Sequence, residues 1–269
     1  MSDKERLDVL LRDREICKSR EKAKREIMAG NVYVDGQLKD KPGTRVAKGA
    51  DIDLRGREQK YVSRGGKKLE GALKEFDVAV DGFTALDIGA STGGFTDCLL
   101  QNGARKVWAL DVGKGQLDWG LRQDERVIPM EDVNARYLEP DEIGTKVDFV
   151  TIDVSFISLE LILPPAKKVL KPKGEMVTLV KPQFEAGPES VESGGVVTDP
   201  DVHVEVLENV NGFARDNDLA VLDCTYSRIQ GKSSKNIEYL LHLSKTKDGI
   251  DPAVFREVVT SAHEDFQVN

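Results

Sequence analysis

The sequence has no long apolar run: its hydrophobic segments are short and are interrupted by charged residues throughout the 269 positions. A helix needs about 20 consecutive apolar residues to cross a bilayer, so no segment is predicted to span a membrane. The N-terminal stretch MSDKERLDVLLRDRE is charged throughout and lacks the apolar core of a signal peptide. Both absences predict a soluble protein of the cytoplasm.

Cysteine, histidine and aromatic residues are scarce. Cys17, Cys98 and Cys224 lie far apart and form no CxxC pair, which excludes a disulfide framework and suits a reducing compartment. We expect each thiol to be buried. No His/Cys cluster has zinc-ligand spacing, so no metal is predicted. Tyr33 is the one aromatic residue of positions 1–60, which argues against a stacking platform for single-stranded bases there.

Charge is distributed unevenly along the chain. The net charge is −8, yet residues 1–74 hold 20 Lys or Arg against 13 Asp or Glu. The remaining residues hold 19 basic side chains against 34 acidic ones. A basic N-terminal region attached to an acidic body predicts that the basic region meets a polyanion.

Residues 1–60 are predicted to form a compact α+β unit. Leucines at 7, 10 and 11 have helical spacing, and Ser19 can cap a second, basic helix that stops at Gly30. In NVYVDGQL, apolar and polar residues alternate before Asp35-Gly36, a two-residue hairpin signal, and another strand is expected at 51–54. The basic side chains of this unit that are predicted to bind RNA are Arg6, Arg20, Lys22, Lys24 and Arg25.

Residues 61–83 are predicted to be a linker and lead-in helix, and residues 84–245 an α/β domain. Apolar segments such as FTALDIG, KVWALDVG, RVIPM, VDFVTIDV and EMVTLVKP alternate with helical segments, which predicts a sheet of mostly parallel strands. Pro164-Pro165 should kink or divide the helix over 157–170. Residues 246–269 are predicted to be a C-terminal helix or tail, and 184–200 a mobile lid or a plain loop.

The turn LDIGASTGGFTD follows the first strand of this domain, and three chemistries are compatible with it. A dinucleotide fingerprint needs glycine at position 91, where serine stands. GASTG matches a nucleophile elbow, but no histidine lies in a recognisable loop motif. The form D-x-G-A-x-x-G-G best resembles the first motif of Rossmann-like methyltransferases, which bind S-adenosylmethionine. The predicted cofactor contacts of the turn are Asp87, Gly89, Ala90, Ser91, Gly93, Gly94 and Phe95.

Acidic and basic residues follow several of the other strands. Asp111 comes twenty-two residues after Gly89 and can accept both ribose hydroxyl protons, and Asp132 can meet the adenine edge. Asp153 and Lys181 each end an apolar strand, and Glu238 begins the last strand. Because an α/β sheet presents its ligand site at the carboxyl ends of its strands, these charges are candidates for catalysis.

Six motifs together resemble the TlyA family, haemolysin-like proteins that methylate ribose 2′-hydroxyls of ribosomal RNA. They are SRGGKKL, LDIGASTGGFTD, LDVGKGQL, TIDVSFISL, LVKPQFEAG and NIEYLL. The basic unit resembles the α-L RNA-binding domain, and the body resembles the FtsJ-type methyltransferases. The resemblance implies S-adenosylmethionine as cofactor, a cytidine of ribosomal RNA as target, and a Lys-Asp-Lys-Glu set on Lys68, Asp153, Lys181 and Glu238.

In that set Lys181 would stabilise the forming alkoxide, while Asp153 and Glu238 hold the lysines. Arg64 is predicted to bind RNA, in a basic rim with Lys67 and Lys232. Three alternatives stay open at this level: an RNA-binding protein with an inactive methyltransferase fold, a lytic haemolysin, and an NAD-dependent dehydrogenase.

Overall fold

The structure, a computed structural model, describes residues 4–54, 60–229, 236–246 and 248–266. Its contacts divide the chain into two compact units, Met1–Gln59 and Lys60–Asn269. Lys232, predicted to belong to the basic rim, lies outside the described residues.

Within residues 4–54, the described part of the first unit, the chain forms two helices and two small antiparallel sheets. The elements of this part are β1 Lys4–Arg6, α1 Leu7–Asp13, α2 Arg20–Met28, β2 Val32–Val34, β3 Gln37–Leu38, β4 Arg45–Ala47 and β5 Ile52–Leu54. Ser19 caps α2, because its hydroxyl accepts a hydrogen bond from the amide of Lys22 at 3.2 Å. Asp35 and Gly36 turn the chain from β2 to β3 with positive φ, as the hairpin signal predicts.

The sequence pattern did not indicate the pairing of β1 with β4. Each strand has three residues, so neither shows enough alternation to be recognised. The core of this unit includes the three leucines of α1, Ala23 and Ile27 of α2, and the valines of β2.

The second unit is built on one seven-stranded sheet. Its elements are α3 Gly65–Glu75, β6 Thr84–Ile88, α4 Gly94–Gln101, β7 Lys106–Leu110, α5 Trp119–Arg122, β8 Val127–Met130, α6 Pro140–Ile143, β9 Val147–Ile152, α7 Leu163–Val169, β10 Leu170–Val180, α8 Pro182–Glu185, α9 Pro200–Asp216, β11 Ala220–Tyr226, β12 Tyr239–Ser244 and α10 Ala253–Phe266. The strand order is β11-β12-β10-β9-β6-β7-β8.

The strands from β6 to β10 run parallel, and β12 lies antiparallel between β10 and β11. The predicted, mostly parallel α/β sheet is therefore confirmed. Val180 at the end of β10 pairs with Tyr239 at the start of β12. This antiparallel register brings Glu238, which precedes a strand, to the same sheet edge as residues that follow strands.

Apolar side chains cover both faces of the sheet. One core cluster includes Leu69 and Leu73 of α3 with Leu99 of α4, and the other includes residues of α7, α9 and α10. Prolines 164 and 165 lie in the first turn of α7, after a separate 3-10 turn at Leu159–Leu161, so the predicted helix is divided. All three cysteines are buried.

Within the described ranges, no helix is both long and apolar enough to cross a bilayer.

Candidate active site

Lys181 and Asp153 form a close ion pair at the carboxyl edge of the sheet. They follow the neighbouring strands β10 and β9, and Nζ of Lys181 lies 2.6 Å from Oδ1 of Asp153. The ammonium group also donates to the carbonyl of Val154 and to the hydroxyl of Ser155, each at 3.0 Å. Lys181 is 8% exposed, so its ammonium group is solvated mainly by these protein partners and little by water.

Glu238 and Lys68 form a second ion pair at this edge. The two residues are 170 positions apart, and the Nζ of Lys68 donates to Oε2 of Glu238. The side chains of Lys68 and Glu238 are 12% and 6% exposed, whereas the preceding lysine, Lys67, is exposed. The structure thus brings the four residues of the predicted Lys-Asp-Lys-Glu set to one sheet edge as two partly buried ion pairs.

Glycines in the first turns of α3 and α4 explain how α3 reaches this edge. Gly66 has no room for a side chain because the ring of Tyr61 lies against it. A Cβ atom on Gly94, the first residue of α4, would lie 2.9 Å from the backbone nitrogen of Gly66. Glycine at position 94 permits this close approach of α4 to α3, and glycine at position 66 leaves room for Tyr61; both contacts hold the helix that carries Lys68 beside the turn.

A partly buried glutamate joins the segments that follow Asp153 and Lys181. Glu185 accepts hydrogen bonds from the hydroxyl of Ser158 at 2.8 Å and from the amide of Leu159 at 2.9 Å. Burial raises the pKa of Glu185 above its ordinary value. Both segments are therefore tied to each other beside the ion pair.

The glycine turn lies directly beside Asp153. Gly89 has φ +82°, and a Cβ atom there would lie 2.9 Å from the carbonyl carbon of Asp153. Ser91 and Gly93 also have positive φ, so the turn uses the left-handed region three times within five residues. Gly93 packs against Leu117 and Leu121.

Asp87 and Phe95, two predicted cofactor contacts, lie inside the protein. Asp87 has no exposed surface and accepts hydrogen bonds from the hydroxyls of Thr96 at 2.7 Å and Thr151 at 2.9 Å. Burial raises the pKa of Asp87 to about 6. Phe95 belongs to the core cluster below α3 and α4. The contacts of Asp87 and Phe95 are those of residues that support the turn, and their direct contact with a cofactor stays a prediction.

Asp111 follows β7 and is partly exposed. Its carboxylate accepts the amide of Ser91 at 2.8 Å and the amide of Gly113 at 2.7 Å. Each carboxylate oxygen keeps lone pairs for a further donor, such as a ribose hydroxyl. Asp132 follows β8, is exposed, and pairs with Lys114 at 2.8 Å.

An exposed aromatic side chain beside the ion pairs was not predicted. Phe156 is 91% exposed and has φ +62°, an unusual conformation for a bulky residue. Its ring lies 4.8 Å from the ring of Phe184, and Lys181 lies 6.0 Å from the Phe184 centroid. An aromatic residue directly after the strand-end motif was the available sequence signal, but its exposure depends on the loop conformation.

The predicted RNA-binding residues of the first unit fall into three groups. Arg6 and Arg20 both contact Asp8. Lys22 and Lys24 pair with glutamates of their own helix, at 3.8 and 2.7 Å. Arg25 is exposed. Arg64, in the second unit, is exposed at the start of α3.

No metal cluster occurs in the part of the chain that the structure describes: no three His, Cys, Asp or Glu side chains there could hold an ion.

Comparisons with known proteins agree with this geometry. The FtsJ-like methyltransferase family matches residues 61–245, and the S4 domain family matches residues 5–52. YqxC of Bacillus subtilis is 49% identical over 98% of this chain and 95% of its own length. TlyA of Mycobacterium tuberculosis, named a 16S/23S rRNA (cytidine-2′-O)-methyltransferase, is 42% identical over 96% of this chain and 98% of its length.

A solved structure from Streptococcus thermophilus, which carries a haemolysin name, is similar over the whole chain. It is 47% identical, covers 99% of this chain and 98% of its own, and superimposes with a TM-score of 0.78. The two matched ranges fall within the two units, and the full-length relatives cover nearly all of the chain; the chain therefore belongs to the TlyA family, with an S4 domain followed by an FtsJ-like methyltransferase domain.

Proposed function

We propose that the protein transfers a methyl group from S-adenosylmethionine to the ribose 2′-hydroxyl of a cytidine in ribosomal RNA. The observation that carries the proposal is the set of two partly buried ion pairs, Lys181–Asp153 and Lys68–Glu238, at the sheet edge that also carries the glycine turn. The M. tuberculosis and Campylobacter jejuni relatives, 42% and 36% identical, are named rRNA (cytidine-2′-O)-methyltransferases, which supports the same target.

The charges around the turn fit a sulfonium cofactor better than a dinucleotide. A pyrophosphate needs free amide donors or cations, but Asp111 occupies the amides of Ser91 and Gly113. The acceptor oxygens of Asp111 and Asp132 suit a ligand that brings donors, such as ribose hydroxyls and an adenine amino group. S-adenosylmethionine offers both and supplies the methyl group on a cationic sulfur.

Lys181 is the group of the chain that acts on the target hydroxyl. A ribose hydroxyl is a weak nucleophile until its proton leaves. As the bond from oxygen to the methyl carbon forms and the bond from that carbon to sulfur breaks, the hydroxyl proton would pass to solvent, and a nearby ammonium group stabilises the oxygen anion that develops. All three N–H donors of Lys181 have partners in the structure: Asp153, Val154 and Ser155. Ser155 is exposed, so its hydroxyl is the partner that the target oxygen can replace.

The remaining charged residues orient this lysine and the sugar. Asp153 holds the ammonium group at 2.6 Å and fixes its position. Glu238 stands opposite Lys181 across the β10–β12 pair and holds Lys68. Alignment of two reactants can remove roughly 7–11 kcal/mol of a barrier in favourable cases, so these positioning contacts matter as much as charge.

Phe156 supplies a surface for the target base. A base that has left its helix can stack on an exposed aromatic ring, and Phe156 lies three residues after Asp153. The ring of Phe184 packs against the ring of Phe156, with the two centroids 4.8 Å apart. Replacing Phe156 with alanine removes this ring and therefore tests recognition of the base separately from the methyl transfer.

The direct test is transfer of tritium-labelled methyl groups from S-adenosylmethionine to separated ribosomal subunits, followed by mapping of the labelled nucleotide. We expect label on one or more cytidine 2′-oxygens. No transfer to either subunit, or label on a base nitrogen or carbon, would contradict the proposal.

A further inference from the structure

In the first unit a single buried carboxylate holds two arginine side chains. Asp8 has no exposed surface. Arg6 binds it with two parallel hydrogen bonds, Nε to Oδ1 at 2.9 Å and Nη2 to Oδ2 at 3.0 Å. Arg20 donates from Nε to Oδ2 at 2.9 Å. Residues from the starts of α1 and α2 thus converge on one carboxylate.

Asp8 remains ionised at every pH at which the protein would work. The hydrogen bond from Arg6 is the largest cause that lowers the pKa of Asp8 to about 2, and the contact with Arg20 adds to it. The backbone of Asp8 is also fixed, because its amide donates to the carbonyl of Pro42 at 3.1 Å. The cluster therefore carries one net positive charge on a rigid anchor.

Most hydrogen-bond donors of both arginines remain available. A guanidinium group has five N–H donors. Arg6 uses two of them on Asp8 and Arg20 uses one, and the described residues give neither group another hydrogen-bond partner. Both side chains are well exposed, 42% and 43%. Two planar donor groups with fixed orientation match the oxygens of a phosphate.

The lysines of α2 are a useful contrast. Lys24 pairs with Glu21, whose side chain is 76% exposed, and Lys22 approaches Glu26 at 3.8 Å. Such exposed pairs are weak and leave the side chains free to move. A ligand that binds Lys22 or Lys24 must order a flexible side chain, whereas Arg6 and Arg20 are already ordered.

We propose that Arg6 and Arg20 form a pre-organised site for a phosphodiester group of RNA, and that Asp8 is its positioning residue. This inference rests on the proposed function, because it takes ribosomal RNA as the ligand. Ordering long side chains before binding lowers the entropic cost of association. An acidic residue thereby raises the affinity of a basic surface for a polyanion.

The replacement Asp8→Asn distinguishes this role from simple charge. Removing a negative charge should tighten RNA binding if only net charge counts. We expect the opposite in the full-length protein: the Kd for its ribosomal subunit, at fixed salt, rises roughly five- to thirtyfold because two arginines lose their anchor. The matched control is Asp13→Asn, which removes the same charge from α1 at an exposed pair with Arg12. Its Kd should fall slightly or stay the same.

A buried replacement can also disturb folding, so a second pair of variants is needed. Arg6→Lys and Arg20→Lys keep the charge but lose the planar donor group, and each should weaken binding about three- to tenfold. Thermal unfolding and the Kd for S-adenosylmethionine report on folding. A purely structural role of Asp8 would lower the unfolding temperature but leave the KM for the subunit unchanged at a temperature where the variant is folded.

Two results would overturn the inference. One is a folded Asp8→Asn variant that binds the subunit as tightly as the wild type. The other is wild-type affinity in both lysine variants. The proposed function fails separately, if the wild-type protein binds the subunit but transfers no methyl group to it; the arginine site would then still stand or fall by the binding data.

Discussion

Three hydrogen-bond partners fix the position of the Lys181 ammonium group. Removing its side chain would take away the ammonium group and leave Asp153 partly buried without its partner. Asp153 keeps 23% of its side chain exposed, so water can compensate part of that loss. We therefore expect removal of the Lys181 side chain to raise the activation free energy of methyl transfer by more than it lowers the free energy of unfolding.

Lys181→Ala should lower the rate of methyl transfer by about 10²–10³-fold, the usual cost of losing one donor to a developing oxyanion. The affinity for S-adenosylmethionine, measured by calorimetry, should stay close to the wild-type value. Lys171→Ala is the matched control, because Lys171 makes an equally short pair with Asp148, at 2.6 Å, near the starts of their strands. Full activity of Lys181→Ala would exclude the assigned role.

Phe156→Ala should lower kcat/KM for the ribosomal substrate about five- to a hundredfold, since stacking of one base on an aromatic ring contributes roughly 1–3 kcal/mol. Phe156→Tyr should retain most of the activity because it keeps the ring. Leu161→Ala removes a partly exposed apolar side chain from the same connection and serves as control. Equal loss in the alanine and tyrosine variants would argue against stacking.

At the scale of elements, the glycine turn and the strand that bears Asp153 are in direct contact. Gly89→Ala should destabilise the fold by more than about 1 kcal/mol, because it combines a positive φ with a clash against the Asp153 carbonyl. It should also weaken S-adenosylmethionine binding. Gly71→Ala, inside α3 with open space around it, should instead stabilise by roughly 0.5–1 kcal/mol. Thermal unfolding and calorimetry measure both effects.

A histidine connects three elements behind Glu238. Nε2 of His203, on α9, donates to the carbonyl of Val197 at 3.0 Å, and Nδ1 accepts from the hydroxyl of Tyr239 at 2.7 Å. His263 of α10 lies 3.1 Å from the same Nδ1. Burial lowers the pKa of His203 to about 4. Because Tyr239 directly follows Glu238, this neutral histidine anchors the start of β12.

The lowered pKa makes stability depend on pH. An unfolded histidine takes up a proton near pH 6.5, but folded His203 does so only near pH 4. The contribution of neutral His203 to the free energy of unfolding is therefore complete above about pH 6.5. It decreases as pH falls toward 4, by roughly 2 kcal/mol at pH 5. Urea unfolding should show that the free energy of unfolding decreases less between pH 7.5 and pH 5 for His203→Gln than for the wild type.

The difference between the two proteins is the quantity to compare, because Asp87 acts in the opposite direction. Its pKa is raised to about 6, so its burial becomes more costly as pH rises. That contribution is the same in the wild type and in His203→Gln, and it cancels. Identical pH dependence in both proteins would contradict the assignment to His203.

At the scale of the whole molecule, we keep as a proposal that residues 1–60 select RNA and the acidic body performs the chemistry. Deletion of the Met1–Gln59 unit should abolish tight binding to ribosomal subunits and make the remaining binding less salt-dependent, since each lost phosphate contact removes roughly 0.7–0.9 from the slope. Binding of S-adenosylmethionine to Lys60–Asn269 should persist. Unchanged methylation by the shortened protein would refute this division.

Much of the site was predictable because parallel strands share an edge. Asp111, Asp153 and Lys181 each follow an apolar strand, so local pattern alone indicated that they lie near each other. Glu238 precedes its strand, so the shared carboxyl edge does not explain why it joins the site; it was a candidate as a charge at the start of the last strand, and its role came from family resemblance. The antiparallel register of β12 against β10 explains its position. Likewise, family resemblance placed the first lysine of the set at Lys68, and the structure shows that Lys68 donates to Glu238.

The sequence by itself determined the element types, the glycine turn, the charged strand ends and the family, because these depend on residues close together in the chain. Tertiary structure decided that Asp87 is buried under the turn, that Phe156 is exposed beside Lys181, and that Asp8 anchors two arginines. Such features depend on which distant segments meet, and the burial and pairing of a side chain follow from that path rather than from its immediate neighbours in sequence.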